Sequence, residues 1–114
     1  MLDVLVSIGY TLKKIRELKG FQLQDVAKKT TINYTSLSRI ENGKRLPTKE
    51  QITLLANFYD YNKTELMKLL ISDRIIYEIQ EEEEIGMEAF LLAEQRMRYG
   101  RTLFNDYENI KNLN

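Results

Sequence analysis

Residues 30–44 read TTINYTSLSRIENGK, and the way this stretch folds governs the reading of everything around it. Ile32, Leu37 and Ile40 recur at a spacing that places them on one side of a short helix. The helix is expected to take Asn33 as its N-cap and to stop at Asn42-Gly43, where glycine accepts the left-handed conformation. Tyr34, Thr35, Ser38 and Arg39 then point the other way. That outward face of hydroxyls, an aromatic tip and one guanidinium calls for an explanation.

Working outward, Leu23 to Lys29 reads as another short helix with Val26 and Ala27 inward, joined to the first by a tight Thr30-Thr31-Ile32 connection. A helix before it starts at Ser7, carries Ile8, Leu12, Ile15 and Leu18 as one stripe, and ends at Gly20. Downstream, Thr48 with Gln51 forms a capping box ahead of Ile52, Leu55, Ala56 and Tyr59. Asn62 with Glu65 forms a second box ahead of Leu66, Leu69 and Leu70. The apolar stripe continues through Ile75, Ile76 and Ile79 to the acidic run Glu81 to Glu84, so this fifth helix is expected to be long and to break at Gly86. Met87, Phe90, Ala93 and Met97, then Leu103, Tyr107 and Ile110 beyond Gly100, predict further helix. With a single proline and no sustained alternation of apolar and polar residues, the fold class is all α.

The chain has 114 residues, 43% hydrophobic and 30% charged, which fits one globular domain with an appendage. The expected division is 1–70 for the domain and 71–114 for an acidic helical extension. No apolar run reaches the ~18 residues that span a bilayer, and the opening MLDVLVSIGY lacks a basic n-region, so a cytoplasmic location without membrane contact is expected. Cysteine and histidine are both absent. Disulfides, thiolate or imidazole metal sites and the commonest catalytic partners are thereby excluded, and the expectation is a protein with no enzymatic activity, catalytic residue, metal or cofactor. The formal charge of zero hides a segregation. Through Leu70 there are 12 Lys and Arg against 7 Asp and Glu, a net +5, and beyond it 5 against 10, a net −5. A basic half suits a polyanion. The run Glu81 to Glu84, with Glu78 and Glu88, reads as a solvated face rather than a cation site, because consecutive helical residues point about 100° apart. The Met87, Phe90, Met97 stripe reads as core or dimer contact.

Two short helices joined by a tight turn can form a helix-turn-helix, one helix bracing on the phosphate backbone while the next enters the major groove. Here IRELKG, SLSRIENGKRLPT and LLANFYDYNKTELM, in that order, resemble the Cro and lambda-repressor-like DNA-binding family over about residues 8–70. The resemblance implies a five-helix domain, to which this chain adds its C-terminal extension. It also implies roles for particular residues. Tyr34, Thr35 and Arg39 would meet base edges, with Asn33 and Ser38 at the margin. Arg16 and Glu41 would form a structural ion pair, and Asn42, Gly43 and Lys44 would meet phosphate through backbone amides and the lysine. Arginine can offer two parallel donors to guanine, which makes Arg39 the leading specificity residue. Lys28, Lys29, Lys44, Arg45 and Lys49 flank the motif and would neutralise phosphates.

Three features depart from the family pattern. Helix two begins Gln22-Leu23 where the family often has Thr-Gln, so either Gln22 or Gln24 supplies the phosphate contact or the contact is missing. Thr31 stands where the family has a turn glycine, which predicts a locally different turn. Helix two also lacks a strong N-cap. The function expected is a sequence-specific regulator of transcription that binds double-stranded DNA, acting as a dimeric repressor whose extension supplies the homodimer contact. The competing expectation is a protein-interaction module, an antitoxin or adaptor, whose tail grips a partner protein while DNA binding is secondary.

Overall fold

The computed structural model describes residues 7–100 together with Glu108, Ile110 and Lys111. Six helices follow one another, α1 (Ile8–Leu18), α2 (Leu23–Thr30), α3 (Tyr34–Glu41), α4 (Lys49–Tyr59), α5 (Lys63–Glu81) and α6 (Gly86–Arg98), with no strand among the described residues. The chain divides into two compact units whose boundary lies between Ile75 and Ile76, inside α5.

In the first unit, side chains at the helix starts engage backbone donors that a helix leaves unpaired. Ser7 Oγ accepts from the Tyr10 N–H at 3.1 Å, and the Ile8 N–H donates to Asp73 Oδ2 at 2.9 Å. A carboxylate on α5 therefore caps α1 from across the fold and complements its dipole. The unit thus reaches beyond Leu70, where the sequence placed its end. Thr48 and Gln51 exchange reciprocal bonds of 2.9 and 3.0 Å, the capping box the sequence predicts. At α5 the expected second box is half formed. Asn62 Oδ1 accepts from the Glu65 N–H at 3.0 Å, but the Glu65 carboxylate turns to Lys68 Nζ at 3.2 Å.

The core of this unit takes Ile8, Leu12 and Ile15 from α1, Val26 from α2, Ile32 from the turn, Leu37 and Ile40 from α3, Ile52, Leu55, Ala56 and Tyr59 from α4, and Leu66 and Leu70 from α5. Each large side chain so buried contributes about 1.5–3 kcal/mol. Leu18, expected on the α1 stripe, is 87% exposed. It lies about 80° off the direction set by Ile8, Leu12 and Ile15, because 3.6 residues make a turn. Ala27 is only partly buried against the core, while Gly9 provides the close approach: a Cβ there would run into the Ile40 carbonyl oxygen.

In the second unit α5 ends at Glu81, and the Glu82 N–H donates to the Ile79 carbonyl at 3.2 Å. Gly86 does not break that helix. It is buried as the first residue of α6, where any Cβ would meet the Ile79 carbonyl oxygen. Phe90 is half-buried, but Met87 and Met97 are 58% and 83% exposed, so this stripe is not core within the chain. Ile110 is exposed, and the expected helical positions Leu103 and Tyr107 lie outside the described residues. Among the described residues no helix is long and apolar enough to cross a membrane, and no group of three or more acidic residues is placed to hold a metal ion.

Candidate nucleic-acid interface

Gln22 precedes α2 with extended backbone, and its N–H donates to Asp25 Oδ2 at 3.0 Å. The Gln22 side chain itself makes no capping bond, in keeping with the expected weak cap, and Asp25 at the third helical position supplies this one contact instead. At the other end the buried Thr30 hydroxyl donates to the Val26 carbonyl at 2.7 Å. Thr31 then adopts φ 62° and ψ 5°. The turn keeps left-handed geometry despite the β-branched residue, which corrects the expectation of a different local turn. Holding threonine there costs on the order of 1 kcal/mol, and the tight packing of α2 against α3 around Val26, Ile32 and Leu37 supplies the compensation.

Asn33 Oδ1 accepts from the Ser36 N–H at 2.8 Å, as an N-cap should. Its carbonyl oxygen is thereby used, leaving the amide NH2 as its available donor. With Leu37 and Ile40 anchored in the core, the opposite side of α3 presents Tyr34, 52% exposed, with Thr35 and Arg39 also exposed and Ser38 half-buried. Positions 34 and 38, and 35 and 39, are successive-turn neighbours, so the four form one continuous face. The structure thus gathers four of the residues assigned to base contact on one face, with Asn33 exposed as the N-cap at its start.

The flanking groups divide. Gln22, Gln24, Lys28, Lys29, Asn42, Gly43, Lys44, Arg45 and Lys49 are all exposed. Gln24 and Lys28 share one stripe of α2, whereas Lys29 shares its stripe with Asp25, whose negative charge offsets it. Arg45 Nη1 approaches Ser36 Oγ at 3.4 Å, beside the first turn of α3, and Asn42 Nδ2 approaches Ser38 Oγ at the same distance. Ser36 was not among the expected site residues; its polarity at the third helical position is the only sequence signal for it. The backbone amides of Asn42, Gly43 and Lys44 do not fit the implied role. They donate to the carbonyls of Ser38 at 3.0 Å, Ile40 at 3.2 Å and Arg39 at 2.9 Å, closing the end of α3. A phosphate at this turn would be met by the Lys44 ammonium and the Asn42 side chain instead.

Behind the face, Arg16 Nε and Nη2 bond Glu41 Oε2 and Oε1 at 2.8 and 3.0 Å, and Nη1 donates to the Phe21 carbonyl at 2.9 Å. The two side chains are 12% and 5% exposed. This planar pair fixes the end of α3 against α1. Its hydrogen bond to Glu41 raises the Arg16 pKa above the ordinary value, against the opposing effect of burial. Tyr59, stacked among Phe21 and Phe58 with centroids 4.9–6.4 Å apart, has its phenol pKa raised by burial and by Glu41, with Arg16 acting the other way. The sequence reading put Tyr59 in the core but missed this aromatic cluster, because its three rings come from two distant segments.

Residues 12–66 match the family described as Helix-turn-helix, a span holding α2, the Thr31 turn, α3 and the pairing partners Arg16 and Glu41. No curated protein and no solved structure matches the chain. The segment 12–66 therefore carries the helix-turn-helix of lambda-repressor and Cro-like proteins.

Proposed function

We propose that this chain is a sequence-specific regulator of transcription that binds double-stranded DNA in the cytoplasm, as a dimeric repressor without enzymatic activity. The observation that carries the reading is the α3 face. Its apolar side is committed to the core, and its outward side offers Tyr34, Thr35, Ser38 and Arg39 between exposed cations on α2 and on the segment after α3. Arg39 reads base edges, with guanine O6 and N7 as its best partners. Lys28, Lys44, Arg45 and Lys49 neutralise phosphates and set the register. One such domain covers a short half-site, so discrimination calls for two copies on half-sites about 34 Å apart.

Arg39→Ala is expected to relax preference at one base pair by roughly 1–3 kcal/mol, while Lys44→Ala weakens all sequences alike. Selection from randomised duplexes with both variants reads this directly, and unchanged base preferences in Arg39→Ala would remove the recognition role. The acidic second unit, with its exposed Ile76, Tyr77 and Met87, favours the alternative of a tail that binds a partner protein. A salt titration on mixed duplex DNA discriminates, since phosphate binding must weaken steeply with salt.

A further inference from the structure

α6 has one inward side, marked by buried Gly86 and half-buried Phe90. About 140° around the helix from that side, at 100° per residue, runs a second line made of Ile85, Glu88, Leu92, Arg96 and Tyr99, every one exposed. Ile85, Leu92 and Tyr99 are 57%, 55% and 60% exposed and recur every seven residues, so this line carries a repeated apolar contact flanked by Glu88 and Arg96. Leu92, Arg96 and Tyr99, with Gln95, line an open groove of about 440 Å³ along the same line. Among the described residues neither Glu88 nor Arg96 has an ion-pair partner, whereas Glu94 and Arg98 on a third line are paired at 3.3 Å.

The order of these residues is symmetric about Leu92. Ile85 and Tyr99 each lie seven positions from it, and Glu88 and Arg96 each lie four. A two-fold axis through an antiparallel pair of α6 helices, passing at Leu92, therefore sets Leu92 on Leu92 and Ile85 of each copy against Tyr99 of the other. Both Glu88 groups then face an Arg96. A parallel pairing would instead oppose Glu88 to Glu88 and Arg96 to Arg96, which like-charge repulsion disfavours. We propose that the Ile85, Glu88, Leu92, Arg96, Tyr99 line of α6 is the self-association surface of this chain, and that its occupant is the same line of a second copy running antiparallel. This deepens the dimeric reading above by naming its contact, and it does not depend on what α3 recognises.

The test uses the full chain in sedimentation velocity. Glu88→Arg places arginine against Arg96 of the second copy, and Arg96→Glu places glutamate against Glu88. Each alone is expected to raise the dimer dissociation constant about tenfold or more. The double variant E88R/R96E restores both opposed pairs and should return to within about threefold of the parent. An equimolar mixture of the two single variants should associate more tightly than either by itself, since every opposed pair in the mixed dimer is then attractive. That recovery also shows that the single variants are folded. Singles that dimerise like the parent, a double no tighter than the singles, or a mixture that fails to associate would each overturn the assignment. Duplex binding measured on the same samples separates the two readings. Dissociated variants that still bind half-site DNA leave the recognition face standing, and a parent that dimerises this way but binds no duplex refutes only the DNA reading.

Discussion

The two units use apolar residues in opposite ways. In the first, thirteen hydrophobic residues are buried, every helix contributes to one cluster, and an ion pair and a cross-fold cap lock α1 to α3 and α5. In the second, Gly86 alone is buried among the described residues, while Ile76, Tyr77, Ile85, Met87, Leu91, Leu92, Met97 and Tyr99 remain at least 44% exposed. A helix pair can bury only the facing strip of each member, whereas five short helices crossing at several angles enclose a volume. The lesson is that the first unit spends its apolar surface on its own stability and keeps a polar face for a ligand. The second leaves much of its apolar surface exposed.

The strongest way to break this contrast is at the buried pair. Arg16→Ala leaves Glu41 charged and without its partner at 5% exposure, and is expected to cost about 3–5 kcal/mol, read as a lowered urea midpoint. A loss under about 1 kcal/mol would place the pair with ordinary surface bridges. Next come the two close-approach glycines. Gly9→Ala drives a methyl into the Ile40 carbonyl and should destabilise the first unit by about 1–3 kcal/mol. Gly86→Ala meets the Ile79 carbonyl in the same manner but belongs to the other unit. Hydrogen exchange at Leu37, Leu55 and Leu66 should therefore quicken with Gly9→Ala alone. Equal effects from the two substitutions would mean that the units are not separable in stability.

A smaller gain sharpens the comparison from the other side. Thr31→Gly relieves a left-handed threonine at φ 62° and is expected to stabilise the first unit by about 1 kcal/mol in thermal melts. The least effect concerns pH. The Tyr59 phenol is raised above its ordinary value of 10.0 by burial, so between that pH and its folded pKa the native state holds one more proton than the unfolded chain. Its stabilising contribution is complete below pH 10.0 and is lost as pH rises through the folded pKa. Tyr59→Phe should flatten the alkaline limb of the stability curve, measured by urea unfolding at pH 9 to 11 in steps of about half a unit.

The helices and most core positions were legible in the chain because burial of one helical stripe imposes a period of 3.6 on its sequence, and because Ser7, Asn33, Thr48 and Gly43 mark ends by local chemistry. The face on α3 was legible for the same reason, since fixing Leu37 and Ile40 inward fixes Tyr34, Thr35 and Arg39 outward. The sequence alone also determined the segregation of charge between the two halves. What it did not carry were relations between distant segments. Asp73 capping α1, the Phe21, Phe58 and Tyr59 cluster, Gly9 against Ile40, and Arg45 beside Ser36 each join residues whose separation along the chain leaves no local period to read. Tertiary packing also decided that Thr31 keeps a strained turn, because cooperative burial around Ile32 and Leu37 outweighs the preference of any single residue.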